Sequence, residues 1–370
     1  MISTLGRPTK DRDVLQVVTD SDRRGAQVFA WELEAALVKR GRSVETLAIR
    51  SSRDAVTLPI PSLANGGYKL RRLRRLRAAI QRSRVVVGHG SSTLQAVALC
   101  SVGTTVPFVF RTIGDPVYWS NTPARRLRTR VLLSRAAMVV ALWPGSALAL
   151  QHVLGVPAQK IRVIPRGVSA ARFPPIDSAA RNSARKQYDL PEDGSVAVYV
   201  GSLSQEKNVA AAILALREHQ ELRLVVVGSG PERSQLEELA RAVASDRVLF
   251  TGVVSDPARV LAAADLLVLP SRSEGIPGVL IEAAMRGLPV VASDVGGVRE
   301  VVRHGETGRL VEPDDQVGLN RAMGDVLESP DDFGKRGRQH CLSRFDIEDV
   351  ATRWEQLLSE VGAWSDSSKP

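Results

Sequence analysis

Two carboxylates, Glu274 and Glu282, stand eight positions apart in a segment that follows the apolar run Leu266–Leu269. An unbroken apolar run of this kind is typical of a strand that is covered on both faces, as in a parallel sheet. Beyond it, Pro277 and Gly278 predict the start of a helix that continues to position 286. Both carboxylates should therefore lie beside the carboxyl end of a strand, where α/β proteins bind their ligands.

The start of this predicted helix can bind an anion. The backbone N–H groups of Gly278 and Val279 have no partner within the helix and can hold a phosphate. Each carboxylate can accept hydrogen bonds from two hydroxyls, which suits a ribose or a sugar ring. Alternatively, Glu274 only stabilises the helix dipole and Glu282 is a solvated helix residue.

A lysine follows the first strand predicted in the second half of the chain. The segment from Gly201 to Lys207 comes directly after the apolar run Val196–Val200. Lys207 can therefore project over the same sheet edge as Glu274 and neutralise a diphosphate. Considered alone, it would be an ordinary surface lysine.

Gly228 and Gly230 follow the next apolar run and mimic the opening of a dinucleotide-binding turn. Arg233 occupies the place of the third glycine, and the turn does not belong to the first βα unit of its domain. We therefore interpret it as a turn that approaches a nucleotide closely, with an NAD site as the alternative.

The first half offers weaker candidates. Gly25 lies between a predicted strand and a helix, where a glycine lets the backbone approach a phosphate. His89 ends another predicted strand and is expected to face the same crevice as a ligand-binding or catalytic group, the alternative being a structural histidine. Asp115 precedes a proline and either contacts a polar acceptor or simply forms a turn. No Walker loop, hydrolase nucleophile elbow or zinc-type cluster occurs in the sequence, so we expect neither a metal nor a bound cofactor.

Strand-length apolar runs alternate with helical patterns along the chain, which predicts an α/β fold with mostly parallel sheets. The predicted strands cover residues 14–18, 43–49, 84–87, 108–110, 137–141, 161–164, 196–200, 222–227, 248–250, 266–269 and 290–292. They form two doubly wound, Rossmann-like domains at 1–175 and 193–345, joined by a linker at 176–192. The closing segment, 346–370, contains a predicted helix at 347–361 with Val350, Trp354, Leu357 and Leu358 on one side.

Composition limits the class of protein. The 370 residues are 44% hydrophobic and 24% charged, which is a globular balance in a chain too long for one core. No segment reaches the length of a membrane span, no secretory signal is visible, and Cys100 and Cys341 have neither metal-type nor redox spacing. We therefore expect a cytoplasmic protein.

Charge is distributed unevenly along the chain. Residues 1–190 carry 31 Lys and Arg against 11 Asp and Glu, a net charge of +20, whereas residues 191–370 carry 19 against 29, or −10. The basic first half is expected to meet something anionic.

The most basic segment begins at Lys69 and extends to Arg84, with apolar residues at helical spacing up to position 80. Three interpretations are open: a surface helix docked on the core, a peripheral contact with anionic lipid at the inner face of the membrane, and a nucleic-acid site. Aromatic residues make up only 4% of the chain and are not interleaved with these arginines, so we expect no nucleic-acid partner.

Together, these motifs resemble those of the retaining nucleotide-sugar glycosyltransferases with the GT-B fold, specifically glycosyltransferase family 4. The likeness is strongest from Val198 to Glu312 and includes the Gly25 loop and the segment KIRVIPRGV that ends at Val168. It implies two Rossmann-like domains that face a central cleft, with the closing helix crossing back to the first domain.

The resemblance also implies an activity and residue roles. A sugar would move from a nucleoside-diphosphate sugar, the co-substrate, to a hydroxyl acceptor with retention of anomeric configuration. Glu282 would grip the ribose, Glu274 would lie by the transferred sugar, and Lys207 would meet the diphosphate. The donor-binding set is Gly25, Gly201, Ser202, Lys207, Gly228, Val253, Glu274, Gly275, Ile276, Gly278, Val279 and Glu282. The catalytic set is Glu274, His89 and Lys207, and the acceptor side is His89 and Asp115.

Three positions depart from the family pattern. Ser202 stands where an arginine is common, Pro277 replaces a frequent glycine, and Ile113 appears where many members carry a histidine. The role of that histidine is therefore either absent or taken by His89.

The sequence predicts a hexosyltransferase acting on a lipid-linked or glycan acceptor in cell-envelope polysaccharide or glycoconjugate synthesis. A GT-B sugar-nucleotide epimerase and a non-catalytic sugar-nucleotide-binding protein are the alternatives.

Overall fold

A computed structural model describes residues 11–52, 56–64 and 69–364 of the chain. It divides into two compact units: the first contains the chain up to Gly167 together with the segment from Ile347 onward, and the second is Val168–Asp346. Residues 1–10 of the predicted first domain and 365–370 of the predicted tail lie outside the described residues.

The first unit is built on a six-stranded parallel sheet with the strand order β2-β1-β3-β4-β5-β6. Its strands are β1 (Arg12–Val18), β2 (Val44–Ala48), β3 (Ser83–His89), β4 (Phe108–Arg111), β5 (Met138–Ala141) and β6 (Ile161–Val163). Its helices are α1 (Gly25–Lys39), α2 (Lys69–Gln81), α3 (Ser91–Cys100), α4 (Pro116–Trp119), α5 (Pro123–Ser134) and α6 (Pro144–His152).

Both faces of this sheet are covered. Successive side chains on a strand point to opposite faces, so Leu15 and Phe110 pack into one core whereas Val14 and Val109 pack into another. This arrangement explains the continuous apolar runs in the sequence.

The second unit repeats the plan with the strand order β12-β11-β10-β7-β8-β9, again all parallel. Its strands are β7 (Val196–Val200), β8 (Arg223–Val227), β9 (Val248–Gly252), β10 (Leu266–Leu269), β11 (Val290–Ser293) and β12 (Arg309–Val311). Its helices are α7 (Ser178–Gln187), α8 (Val209–Ala215), α9 (Arg233–Ala244), α10 (Pro257–Ala262), α11 (Gly278–Met285), α12 (Val298–Val301), α13 (Gln316–Glu328) and α14 (Pro330–Phe345).

The predicted linker at 176–192 differs from the structure, because most of it is helix α7. Asp177 caps this helix by accepting a hydrogen bond from the Ala180 N–H at 2.7 Å. The buried Arg185 donates to Asp265 at 2.8 Å. This ion pair fastens α7 to the second unit, and the boundary between the units falls at Gly167 and Val168.

The last helix, α15 (Ile347–Glu360), belongs to the first unit, as predicted. Its apolar face is buried in the same core as Val14, and the residues that form this face are Ile347, Val350, Trp354, Leu357 and Leu358. Gly167 permits the close approach, because a Cβ on it would lie 2.7 Å from the Ile347 side chain.

Eleven predicted strands are present near their expected positions, and the two Rossmann-like units confirm the predicted fold class. Strand β12 is not predicted, since its three residues at the edge of the sheet are too short to form a recognisable apolar run. Within the described ranges, every helix is too short or too polar to cross a bilayer.

Candidate functional site

Lys207 and Glu274 meet in the second unit. Their charged groups are 2.8 Å apart, from Nζ to Oε1. Lys207 ends a short 3₁₀-helix that follows β7, and Glu274 lies in the loop between β10 and α11. Because β7 and β10 are neighbours in a parallel sheet, these two loops leave the sheet at the same edge. The side chains are only 19% and 11% exposed, so water and salt screen the pair weakly.

Two serines of the β10–α11 loop hold this pair in place. The buried Ser271 hydroxyl donates to Glu274 Oε1 at 2.7 Å. The carbonyl oxygen of Ser273 accepts a hydrogen bond from Lys207 Nζ at 3.2 Å. The β10–α11 loop therefore holds Lys207 and Glu274 in position without a ligand.

Arg272 connects the two loops to each other, a role that the sequence does not reveal. Its backbone N–H donates to the Glu206 carbonyl at 2.8 Å, and its guanidinium donates to the Gln205 carbonyl at 2.6 Å and to Asp314 at 2.9 Å. Asn208 also donates to Asp314, at 3.2 Å. Asn208 and Asp314 have left-handed backbones, with φ of 49° and 64°. Asn and Asp adopt this backbone conformation more readily than most other residues. The presence of these residue types at the two positions is therefore the sequence signal for the turns.

Gly296 and Gly297 support the loop from the next strand, β11. The Gly297 N–H donates to the Gly275 carbonyl at 2.9 Å. Gly296 has φ of 54°, and a Cβ on it would collide with the carbonyl oxygen of Glu274. Only glycine permits this approach, so the Gly-Gly pair in the sequence positions Glu274.

Glycines also end the strands β7, β8 and β9. The Gly201 N–H donates to the Val227 carbonyl at 3.0 Å, and the Gly228 N–H donates to the Gly252 carbonyl at 2.8 Å. Gly228 has φ of 136°, and a Cβ on it would collide with the Gly201 carbonyl. Val253 follows Gly252 and is exposed. The turns that the sequence assigned to a nucleotide therefore line one edge of this sheet.

Tyr199 lies behind the turn that contains Gly201 and Ser202. Its buried hydroxyl donates to the Ser202 carbonyl at 2.8 Å, whereas the Ser202 side chain is exposed. Burial raises the pKa of Tyr199 strongly, and the negative charges of Glu274 and Glu206 raise it further. Tyr199 thus stays a neutral hydrogen-bond donor that shapes the turn.

Helix α11 begins at Gly278, and Pro277 is its N-cap rather than its first helical residue. The N-cap makes no side-chain hydrogen bond to the helix end. Ile276 and Gly278 are buried, while Val279 and Glu282 are half-buried. Glu282 lies on the second turn of the same short helix that Glu274 precedes, so the second unit carries both acids close to one sheet edge.

His89 is placed differently from the prediction. It is 1% exposed, in the core of the first unit, and its Nε2 lies 2.9 Å from Gln16 Oε1. The rings of Phe29 and Trp354 lie 6.1 and 6.3 Å from its ring. Burial holds the pKa of His89 well below its usual value, and the Arg111 charge lowers it further. The side chain points into the core that α15 completes, so this arrangement gives no support to a catalytic or acceptor-binding role.

The two other first-unit candidates lie nearer the surface. Gly25 is exposed and is the first residue of α1. Asp115 is the N-cap of α4, and its Oδ1 accepts a hydrogen bond from the Val117 N–H at 2.9 Å. Asp115 therefore forms a turn, which is the alternative that the sequence predicts for this residue.

Two doubly wound parallel sheets, with a lysine–carboxylate pair and glycine turns at the strand ends of the second, define a two-domain Rossmann-like protein of the GT-B type. Residues 23–172 match the family described as Glycosyltransferase Family 4, and residues 180–340 match Glycosyl transferases group 1. A GDP-mannose-dependent alpha-(1-6)-phosphatidylinositol monomannoside mannosyltransferase of Mycolicibacterium smegmatis is 31% identical over 68% of this chain and 69% of its own length. The chain therefore belongs to glycosyltransferase family 4.

Other relatives extend this comparison. The chain is 35% identical to a D-inositol 3-phosphate glycosyltransferase of Acidothermus cellulolyticus over 56% of this chain and 49% of that protein. It spans about half the length of the first curated relatives that it matches. Anabaena HepE in complex with UDP and glucose has a TM-score of 0.84, with 19% identity over 94% of this chain and 99% of that chain. This likeness shows a shared fold.

Proposed function

We propose that the protein transfers a hexose from a nucleoside-diphosphate sugar to a hydroxyl acceptor. The observation that carries this proposal is the Lys207–Glu274 pair, 2.8 Å apart, in which Lys207 follows β7 and Glu274 lies in the loop that leads into α11. A cation, a helix N-terminus and two carboxylates lie at one sheet edge, where a diphosphate and two sets of sugar hydroxyls can be bound together.

The proposed chemistry needs charge stabilisation more than a protein nucleophile. As the bond between sugar and diphosphate breaks, negative charge grows on the leaving phosphate, and the Lys207 ammonium and the α11 N–H groups stabilise it. Glu282 would bind the ribose, and Glu274 would lie by the transferred sugar while holding Lys207. Retention of configuration follows if the leaving phosphate itself takes the proton from the acceptor on the same face of the sugar.

Membership of family 4 supports sugar transfer, and the HepE structure, named with UDP and glucose, supports a nucleotide-sugar donor. The relative from Mycolicibacterium smegmatis is named for a phosphatidylinositol monomannoside. It supports a lipid-linked glycan as the acceptor and a role in envelope or glycoconjugate synthesis.

Replacement of Glu282 by alanine tests the donor site. The loss of charged hydrogen bonds to a ribose diol should weaken the binding of a nucleoside diphosphate by about 1–3 kcal/mol in calorimetry. Glu306→Ala, an exposed acid of the same unit, is the matched control and should bind normally. Unchanged affinity in Glu282→Ala would show that the ribose assignment is wrong.

Turnover separates the proposed transferase from its alternatives. A transferase releases nucleoside diphosphate steadily only when a hydroxyl acceptor is present. An epimerase would change the sugar without an acceptor, and a binding protein would release nothing. Release that does not depend on any acceptor would contradict the proposal.

We also propose a cytoplasmic location with peripheral contact to anionic lipid through helix α2. Leu76 and Ile80 are buried in the core of the first unit, so the helix is docked as a surface helix. Leu70 is 70% exposed, and Arg71 and Arg74 are exposed beside it. The amino-terminal end of α2 therefore presents an apolar side chain among cations, which suits a lipid headgroup region.

A further inference from the structure

Arg272 lies in the β10–α11 loop between the two serines that hold the Lys207–Glu274 pair. Ser271 donates to Glu274 at 2.7 Å, and the Ser273 carbonyl accepts a hydrogen bond from Lys207 at 3.2 Å. A shift of the backbone at Arg272 would therefore move both contacts. The position of Arg272 is thus coupled to both members of the pair.

Arg272 also contacts the other loop, on both sides of Lys207. Before this lysine, the Gln205 carbonyl accepts a hydrogen bond from Arg272 Nη1 at 2.6 Å, and the Glu206 carbonyl accepts one from the Arg272 backbone N–H at 2.8 Å. After it, Asn208 Oδ1 accepts a hydrogen bond from Nη2 at 3.4 Å. Each chain neighbour of Lys207 is therefore bound to Arg272.

The loop that carries Lys207 has little regular structure of its own. Lys207 ends a 3₁₀-helix of three residues, and the next residue, Asn208, has a left-handed backbone. Short 3₁₀-helices have poor internal hydrogen-bond geometry. Contacts from outside the loop therefore decide the direction in which the Lys207 side chain points.

Asp314 holds the Arg272 guanidinium from a third loop, between β12 and α13. Arg272 Nε lies 2.9 Å from Oδ1 and 3.2 Å from Oδ2 of Asp314, and the Asn208 amide donates to the same carboxylate at 3.2 Å. The adjacent Asp315 is the N-cap of α13 and accepts a hydrogen bond from the Gly318 N–H at 2.9 Å. The loops that follow β7, β10 and β12 thus meet at one guanidinium.

These contacts position loops without contributing much to the stability of the fold. The Arg272 side chain is 41% exposed and that of Asp314 is 55% exposed. Water and salt screen an ion pair at such positions, and exposed pairs add little to the free energy of unfolding. Replacement of Arg272 should therefore leave the second unit folded while it releases the loop around Lys207.

We infer that Arg272, held by Asp314, is a positioning residue that fixes Lys207 beside Glu274. The inference rests on the proposed function, in which the Lys207 ammonium binds the diphosphate of the sugar donor. A cation stabilises developing charge only when it is held in the correct place, and a displacement of about 1 Å can lower a rate about a hundredfold. Arg272 acts through Lys207 and needs no contact with the ligand.

The chemical reactivity of Lys207 tests this positioning on the full chain without a ligand. A succinimidyl ester labels lysine amines, and peptide mass spectrometry gives the labelling rate of each lysine. In Arg272→Gln, Lys207 should be labelled several-fold faster than in the unchanged protein, because its amine is no longer held against Ser273 and Glu274. The exposed Lys186 should be labelled at the same rate in both proteins. An equal rate at Lys207 in both proteins would overturn the inference.

Calorimetry with UDP or GDP, whichever the unchanged protein binds, tests the effect on the diphosphate. Arg272→Gln should bind this probe about tenfold more weakly, because a charged hydrogen bond from Lys207 is lost. Arg272→Lys, which keeps a charge but not the paired donors, should fall between Arg272→Gln and the unchanged protein. Adding Arg272→Gln to Lys207→Ala should weaken binding no further than Lys207→Ala alone. Equal weakening with and without Lys207 would also overturn the inference, because Arg272 would then act independently of this lysine.

Arg223→Gln is the matched control. It removes a guanidinium that donates to the Asp246 carbonyl at 3.0 Å, at the amino end of β8 and so at the opposite edge of the same sheet. This change should affect neither labelling nor binding. If Arg272→Gln does not fold, Arg272→Lys and Asp314→Asn decide, and unchanged labelling of Lys207 in both contradicts the inference. If Lys207 labelling responds as expected but the unchanged protein binds neither UDP nor GDP, the positioning role is supported and the proposed function is wrong.

Discussion

At the scale of single residues, the Lys207–Glu274 ion pair of the second unit is already formed without a ligand. Lys207 Nζ is 2.8 Å from Glu274 and 3.2 Å from the Ser273 carbonyl, so the ammonium is held by at least two acceptors. If the lysine side chain became ordered only when the ligand binds, the loss of its rotamer freedom would weaken binding. A cation that is already ordered can stabilise developing charge without rearrangement.

The environment of His89 keeps its imidazole ring in the neutral state. The Gln16 amide nitrogen donates to the Ala30 carbonyl at 2.8 Å and to the Thr46 hydroxyl at 3.2 Å. Its oxygen therefore accepts from His89 Nε2, 2.9 Å away. The other ring nitrogen, Nδ1, is buried with no partner in the described ranges. A second proton there would be both desolvated and close to Arg111.

We expect stability to fall below about pH 6.5 because of His89. A histidine in the unfolded chain takes up a proton near this pH, whereas the folded-state pKa of His89 is depressed. The unfolded state then binds more protons, so the free energy of unfolding decreases as the pH falls, by at most about 1.4 kcal/mol per pH unit. Urea unfolding at several pH values measures this slope, and His89→Gln should flatten it. The pKa of His340 is also lowered by burial, so some slope remains. The same slope in both proteins would contradict the argument.

The meeting of Lys207 and Glu274 at one sheet edge can be predicted from the sequence, because parallel strands have their carboxyl ends on the same side of the sheet. The role of Arg272 cannot, because its contacts join loops more than 60 positions apart in the chain. The position of His89 differs from the predicted one, since its side chain is buried in the core of the first unit. The face to which His89 points is covered by Trp354, and nothing local to β3 encodes that contact.

At the scale of elements, sequence patterns fail to predict a very short strand and a helix that lies in a polar stretch. Strand β12 has three residues, and helix α7 lies in a polar stretch that carries the features of a linker. Asp177 at the N-cap is the local signal for α7. The long apolar strands are predicted well because both of their faces are buried.

The turn after β11 gives an element-scale prediction. Gly296→Ala should lower the free energy of unfolding by about 2–4 kcal/mol, since it adds both a left-handed backbone penalty and a collision with the Glu274 carbonyl. Displacing that carbonyl should also weaken the binding of a nucleoside diphosphate. Thermal unfolding and calorimetry measure the two effects.

Gly305→Ala is the matched control for this change. Gly305 also has a left-handed backbone, with φ of 78°, but a Cβ on it would lie 3.7 Å from its nearest neighbour, the end of the Arg309 side chain. Only the backbone penalty of about 1 kcal/mol should remain, with donor binding unchanged. Equal destabilisation by the two substitutions would show that the contact with the Glu274 loop does not matter.

At the scale of the whole molecule, the chain leaves its first unit at Gly167 and returns to it at Ile347. Helix α15 packs into the same core as β1, so the core of the first unit combines segments that are more than 300 positions apart in the sequence. The net charge of +20 on residues 1–190 opposes −10 on residues 191–370. Charge of this size steers the basic half of the chain toward anionic surfaces at low ionic strength.

The proposed lipid contact should therefore depend on both charge and salt. The double variant Arg71→Gln, Arg74→Gln is expected to bind vesicles containing phosphatidylserine about 2 kcal/mol more weakly, at about 1 kcal/mol for each cation near the surface. Sedimentation with vesicles measures the bound fraction, and the difference should disappear at about 1 M salt, where the Debye length is about 3 Å. The double variant Arg217→Gln, Arg241→Gln removes the same charge from exposed positions of the second unit and should bind as the unchanged protein does. If both double variants lose binding equally, overall charge rather than helix α2 is responsible, and the proposed contact through this helix is wrong.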